Sequence, residues 1–116
     1  MMKVIFNEQK TESRSGGIFT GEVTLQQVVN KAMGANGLSV TIVNFPPGVR
    51  NLFHTHDYEQ CLWILSGRGT VASDEEEHIA EEGMAFFIPP GEKHWHGALD
   101  DSHFSHISII GGGART

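Results

Sequence analysis

The sequence predicts an all-β fold, and a β-sandwich or barrel in particular. Short apolar segments recur along the chain, turn residues bound each of them, and no long segment shows an apolar period of 3.6 residues. Fourteen glycines and four prolines in 116 residues supply the turns that such a chain needs. A chain of this length buries a single core, so we expect one domain spanning residues 1–116.

The first predicted elements lie in the N-terminal part of the chain. A strand is expected to begin near Ile18, within an N-terminal strand segment of residues 18–30, although "TLQQVVNKAM" offers one or two helical turns as an alternative. The segment "LSVTIVNF" alternates β-branched residues and ends at "PPG", residues 46–48. This pattern predicts a strand closed by a turn.

Six further short segments follow, each bounded by Gly, Pro, Asp or Ser. They are "EQCLWILSG", "GTVAS", "HIAEEG", "MAFFIPPG", "KHWHGAL" and "HFSHISII". Each is predicted to form a strand. The acidic run "SDEEEHIAEE" is interpreted as the solvated end of a hairpin without chemistry of its own, and the tail "GGGART" is expected to be mobile.

Charge and cysteine content exclude several classes of protein. The formal net charge is −6 and the acids are spread along the chain, so a clustered basic surface for nucleic acid is not expected. No apolar run is long enough to cross a bilayer, and the N-terminus lacks the apolar core of a signal peptide. The single cysteine, Cys61, cannot form an intramolecular disulfide. We therefore expect a cytoplasmic protein that binds neither nucleic acid nor membrane.

Two His-x-His pairs are the strongest chemical signal in the chain. They are His54 with His56 in "NLFHTHDYEQC" and His94 with His96 in "GEKHWHGA". Alternate side chains of a strand share a face, so the two histidines of a pair lie about 6.5–7 Å apart and can converge on one ion. A single pair is more often explained by ordinary surface histidines. Two pairs, each beside a Pro-Gly turn, favour a metal site.

The stretches around these pairs resemble the two signature motifs of the cupin superfamily. The first motif is matched in order by Gly48, His54, His56, Gln60 and Gly67. The second motif is matched in order by Gly83, Pro89, Gly91 and His94. The resemblance covers about residues 38–110. It implies a small single-domain cupin with a double-stranded β-helix, or jelly-roll, barrel.

The same resemblance implies one bound divalent metal ion. Its implied ligands are His54, His56, Gln60 and His94. Many cupins have a glutamate as the third ligand, and strand parity here favours Gln60 over its neighbour Glu59. Three imidazoles and a neutral amide add no negative charge, so the ion stays a strong Lewis acid. Manganese and iron are favoured, while nickel, zinc and cobalt suit the same ligands. The alternative is an ion that only stabilises the fold.

His96 and His106 are the candidate catalytic residues. His96 shares the parity of His94 and is expected to face the cavity, where it could serve as a base or as an additional metal ligand. His106 would point towards the metal from a neighbouring strand if its face is the inner one. A neutral histidine beside a metal ion is a plausible general base, because its ordinary pKa lies near 6.5. The alternative for each residue is a hydrogen-bonded histidine of the barrel.

The run "IPPGEKHWHGALDDSHFSHISI" carries a narrower resemblance. It is similar to the cupin domain of carboxymuconolactone decarboxylase-type proteins and to manganese-dependent cupin hydroxynitrile lyases, in which the histidine matching His106 serves as base. Ile110 stands where that family has a polar residue.

The resemblance implies a metal-dependent enzyme that acts on a small polar organic substrate by Lewis-acid and general-base chemistry, as a lyase, isomerase or decarboxylase. The alternatives are an iron-dependent dioxygenase and a non-catalytic cupin that binds a metal or small molecule. A homodimer is also expected, because pairing protects exposed sheet edges.

Overall fold

The computed structural model describes residues 2–6 and 11–111, and the regular secondary structure within them is almost entirely strand. The strands are β1 (Glu12–Arg14), β2 (Val23–Val29), β3 (Ser39–Phe45), β4 (Gln60–Ser73), β5 (Glu77–Glu81), β6 (Ala85–Ile88), β7 (His94–Ala98) and β8 (Phe104–Ile110). A single 3-10 turn, Lys31–Met33, lies between β2 and β3. The all-β jelly-roll prediction is confirmed.

The long strand β4 joins two sheets. The first half of β4 pairs with β8 on one side and with β6 on the other. In the first sheet the strands β1, β2, β3, β8 and β4 therefore follow one another in this order, and β6 lies beside β4. Its second half, from Arg68 onwards, lies between β5 and β7 in the second sheet. All of these pairs are antiparallel. The core contains side chains from both sheets, so the two layers enclose one interior.

Strands β3 and β8 show how the alternation of side chains builds that interior. Val43 and Phe45 are buried on β3, and the register places them opposite His106 and Phe104 of β8. Side chains at every second position of a strand share a face, so all four residues point inwards. A histidine is therefore held among the aromatic side chains of the core.

The N-terminal prediction is partly wrong. Ile18 does not begin a strand: the chain turns at Gly16 and Gly17, both with positive φ, and Phe19 makes only an isolated bridge to Asn51. The strands of this region begin at Glu12 and Val23 instead. Of the helical turns considered as an alternative for "TLQQVVNKAM", the structure shows only the 3-10 turn. Its Asn30 caps this turn by accepting a hydrogen bond from the backbone N–H of Met33.

The acidic hairpin was predicted correctly. Residues 74–76 form the turn between β4 and β5, and the side chains from Asp74 to His78 are exposed. The tail "GGGART" falls mostly outside the described residues, which end at Gly111. Of the residues described, no helix is long and apolar enough to cross a membrane.

Gly67 is expected to be needed for the bend that carries β4 from one sheet to the other. It has a φ of 75°, and an added Cβ would lie 1.9 Å from the backbone oxygen of His103. Gly67→Ala should therefore lower the free energy of unfolding by at least about 2 kcal/mol. Gly83→Ala is the matched control, because Gly83 also has positive φ but open space around it. Equal losses in chemical denaturation of the two variants would contradict the steric argument.

Candidate functional site

The segment between Asn51 and Gln60 lies outside the named strands and bends at Phe53 and Asp57, and from Phe53 onwards its burial alternates. His54 and His56 are partly buried and Gln60 is buried, whereas Thr55 and Glu59 are exposed. At His54 the segment is held against β7 by an isolated bridge to His94. The backbone N–H of His54 donates to the oxygen of His94, and the N–H of His94 donates back to His54, both at 3.0 Å. The predicted parity therefore holds although the segment is not itself a strand.

Three of the four predicted metal ligands form one cluster. One ring nitrogen from each of His54, His56 and His94 lies within 4.8 Å of the others. The ring centroid of His94 is 4.4 Å from that of His54 and 4.9 Å from that of His56. This spacing lets three imidazoles converge on one ion.

Backbone carbonyls orient all three rings in the same way. The Nδ1 atoms of His54, His56 and His94 lie 2.7, 3.1 and 2.8 Å from the backbone oxygens of Leu52, Tyr58 and Glu92. A carbonyl oxygen only accepts, so each Nδ1 carries the hydrogen and each Nε2 keeps its lone pair. Bonds of this kind fix the tautomer and orientation of histidines that ligate metals.

The fourth predicted ligand, Gln60, lies beside the cluster. Its Oε1 is 3.1 Å from Nε2 of His56, and its Nε2 donates to the hydroxyl of Ser108 at 2.8 Å. Gln60 is only 8% exposed, whereas Glu59 is an exposed residue. The position of Gln60 agrees with the parity argument, and its role as a ligand stays a prediction.

Two features show that this donor set fits a cation. Nε2 of His94 is buried and has no hydrogen-bond partner in the described part of the chain, which is costly for a polar atom. In addition, Nε2 of His56 and Oε1 of Gln60 would both be acceptors, yet they face each other at 3.1 Å. A divalent ion would satisfy all three atoms at once.

The cluster lies between two cavities of unequal size. His54 and His56 line a cavity of about 510 Å³, a volume ordinary for a small-molecule site. His94 lines a smaller cavity of about 60 Å³ on the side of β5. The walls of the larger cavity include the apolar side chains of Phe19, Leu25, Val43, Phe45 and Ile110. Its charged lining residues are Arg14 and Lys31.

His96 lines the larger cavity and is held by a residue that the sequence patterns did not indicate. The side-chain oxygen of Asn51 accepts from the backbone N–H of His96 at 2.8 Å, and its Nδ2 lies 3.2 Å from Nε2 of the His96 ring. Burial and the neighbouring His106 hold the pKa of His96 well below its usual range. Asn51 has the opposite parity to His54, so strand parity alone places it on the wrong face.

His106 faces the same cavity from β8. It is 1% exposed, its ring centroid is 4.9 Å from that of His96, and neither of its ring nitrogens makes a hydrogen bond of good geometry with the described residues. Burial lowers its pKa to about 4, and burial likewise lowers the pKa of His94 to about 4. These imidazoles are therefore neutral at pH 7, which is the form that binds a metal or takes up a proton.

Gln60→Ala is expected to weaken metal binding, whereas Glu59→Ala is expected to leave it nearly unchanged. The reason is the burial of Gln60 beside His56 and the exposure of Glu59. Metal content of the two purified variants, measured by elemental analysis after dialysis against a weak chelator, tests the difference. A loss of metal in Glu59→Ala and not in Gln60→Ala would mean that the chain slips by one residue and that the ligand is a carboxylate.

Comparisons with known proteins agree with this fold. Residues 41–110 match the sequence profile of the Cupin domain family. The chain is 38% identical to an (R)-mandelonitrile lyase of Granulicella tundricola over 97 residues, covering 78% of this chain and 70% of that protein. A cupin-like protein of Thermotoga maritima is 31% identical with a TM-score of 0.83, covering 91% of this chain and 80% of the other. A predicted oxalate decarboxylase from Thermotoga maritima is 21% identical with a TM-score of 0.84, covering 94% of this chain and 98% of the other, a likeness of fold alone.

Proposed function

Because the chain belongs to the cupin family, whose motifs carry its histidine cluster, we propose that it is a metal-dependent lyase that splits an α-hydroxynitrile into an aldehyde and hydrogen cyanide. The observation that supports this proposal most directly is the placement of His106. A buried and neutral imidazole, with no hydrogen-bond partner of good geometry among the described residues, shares one cavity with His54 and His56, two of the three clustered histidines. The identity to an (R)-mandelonitrile lyase favours this substrate class over other small hydroxy compounds.

A divalent ion held by His54, His56, His94 and Gln60 would supply Lewis-acid polarisation of the substrate oxygen. We favour manganese or iron as this ion. The backbone carbonyls bonded to the three Nδ1 atoms keep the ring lone pairs directed away from the main chain and available for the ion.

His106 would move the proton. In the cleavage direction a ring nitrogen of His106 takes the hydroxyl proton of the hydroxynitrile, and the carbon–nitrile bond breaks with its electron pair on the leaving cyanide. The proton then passes from His106 to cyanide, which leaves as hydrogen cyanide, and the other product is the aldehyde. A base whose neutral form persists near neutral pH suits the first of these transfers.

The cavity walls suit an aromatic substrate. The rings of Phe19 and Phe45 lie 6.2 Å apart, and Leu25 and Val43 add aliphatic surface. Burying the aromatic ring of a substrate against such walls removes water from the substrate's reacting group. It also holds that reacting group near His106.

The test is the release of benzaldehyde from mandelonitrile, followed by ultraviolet absorbance. Protein stripped of metal and reloaded with Mn²⁺ or Fe²⁺ should accelerate cleavage of (R)-mandelonitrile above the blank, and should prefer it to the (S) enantiomer. Absence of acceleration with every divalent ion would contradict the proposal. Oxygen uptake by the iron-loaded protein would favour the dioxygenase alternative, and binding without turnover would favour the non-catalytic one.

A homodimer stays a prediction, and the outer face of the first sheet supports it. Trp63 is 45% exposed and Phe87 is 64% exposed, and both lie on the outer face where β4 pairs with β6. Large exposed apolar side chains are typical of association surfaces. Light scattering at micromolar concentration should give the mass of two chains, and a monomer would contradict the prediction. Trp63→Glu should shift the equilibrium towards the monomer.

A further inference from the structure

Asn51 and His96 form a side-chain pair whose geometry fixes the hydrogens on the His96 ring. Both residues are buried, and their backbones are joined by a hydrogen bond from the N–H of Asn51 to the oxygen of His96 at 3.0 Å. The backbone N–H of His96 donates to Oδ1 of Asn51 at 2.8 Å. This bond orients the Asn51 amide, because only its oxygen can accept.

The orientation of the amide determines the tautomer of the ring. With Oδ1 engaged, Nδ2 of Asn51 must face Nε2 of His96, and these atoms lie 3.2 Å apart. An amide NH₂ only donates, so Nε2 of His96 must accept and its lone pair is occupied. The hydrogen of the neutral ring then belongs on Nδ1. A hydrogen on Nε2 would instead place two donors against each other and leave the buried amide without its partner.

We infer that Asn51 is a positioning residue that holds His96 as the Nδ1–H tautomer, so that His96 serves the reaction as a hydrogen-bond donor and not as a base. Nδ1 of His96 is buried and has no partner among the described residues, although the ring lines the substrate cavity next to His106. A hydrogen on Nδ1 lacks a partner of its own, and the oxygen or the nitrile nitrogen of a substrate that reached it would supply one. Proton uptake is then left to His106.

This inference rests on the proposed function for its catalytic meaning, but the tautomer can be measured without any reaction. Long-range ¹H–¹⁵N correlation spectra of protein labelled at histidine distinguish a ring with its hydrogen on Nδ1 from one with it on Nε2. The sample is the protein loaded with Zn²⁺, a diamagnetic ion that suits the same ligands. The His96 signals are identified by their loss in His96→Gln.

The wild-type spectrum should show the Nδ1–H form for His96. A spectrum with the Nε2–H form would overturn the inference, whether or not any variant folds. Asn51→Asp keeps an oxygen for the backbone N–H but replaces the amide donor by an acceptor, so His96 should change to the Nε2–H form. Retention of the Nδ1–H form in both Asn51→Asp and Asn51→Ala would show that Asn51 does not fix the tautomer.

Asn44→Asp is the matched control. Asn44 lies on β3 and accepts from the hydroxyl of Ser105 at 2.7 Å, and it does not line the cavity. The same chemical change at this position should leave the His96 tautomer and the lyase rate unaltered. An altered His96 tautomer in Asn44→Asp would show that the response at position 51 is not specific.

The donor role has its own readout. Benzaldehyde added to the wild-type protein should shift the Nδ1–H signal of His96, and the absence of a shift in an active enzyme would overturn the donor role. Asn51→Asp should lower kcat by about 10²–10³-fold with little change in KM, as expected when one donor to a developing charge is lost. A wild-type protein with the Nδ1–H form and no lyase activity would contradict the proposed function while leaving the role of Asn51 intact.

Discussion

His94→Ala is expected to yield a protein almost free of metal. His94 is 2% exposed, and its buried Nε2 has no other partner in the described structure, so water cannot readily replace it as a ligand. Loss of an outer-shell partner already weakens metal binding by about 10–100-fold, and loss of a ligand should exceed this. Elemental analysis and calorimetric titration with Mn²⁺ measure the effect. His54→Ala should act in the same direction but less strongly, because His54 is more exposed.

His78→Ala is the control for the metal experiment. His78 lies on β5 in an exposed hydrogen bond with Glu76 and is not part of the three-histidine cluster. Removing it should leave the metal content unchanged. Stoichiometric metal in His94→Ala would exclude the cluster as the metal site, and the Lewis-acid part of the proposed function would fail with it.

His106→Phe is expected to lower kcat by about 10²–10⁴-fold, the usual contribution of a general base. The substitution keeps a flat ring between Phe45 and Phe104 and removes two buried ring nitrogens that have no partners among the described residues. Metal content should be unchanged, since His106 is outside the cluster. Steady-state kinetics of mandelonitrile cleavage by the metal-loaded variant measures the effect.

Stability separates this catalytic role from a structural one. An unpaired buried polar group costs about 1–3 kcal/mol, so His106→Phe should not destabilise the protein and is expected to raise its melting temperature. A stable and fully active His106→Phe would contradict the assignment of the base. An inactive variant that also unfolds more easily would show that His106 supports the fold.

The cluster of His54, His56 and His94 was largely predictable from sequence, because burial alternates with a period of two along the segment that carries His54 and His56. His54, His56 and Gln60 share parity, and the structure buries Gln60 and partly buries the two histidines while it exposes Glu59. The strands after residue 38 were predictable for the same reason, except that "EQCLWILSG" and "GTVAS", predicted as two strands, form the single strand β4. Apolar alternation and Gly or Pro at the ends are local signals that the tertiary structure reinforces.

The features that the sequence did not predict, the position of Asn51 and the start of the N-terminal strands, depend on contacts between segments that are distant in the chain. Asn51 faces His96 because the chain bends between positions 51 and 54, and no local pattern marks this bend. No strand begins at Ile18, as was predicted, because the chain turns at Gly16 and Gly17, which both have positive φ. The sequence shows these glycines, but not that the preceding residues pair with β2.

The reciprocal backbone bonds between His54 and His94 have a consequence for folding kinetics. The two residues belong to segments far apart in the chain, and β4, β5 and β6 all lie between them. The cluster can therefore assemble only when β7 docks beside β4, which requires closure of a long loop. A metal that binds only this completed arrangement should slow unfolding and leave the folding rate nearly unchanged.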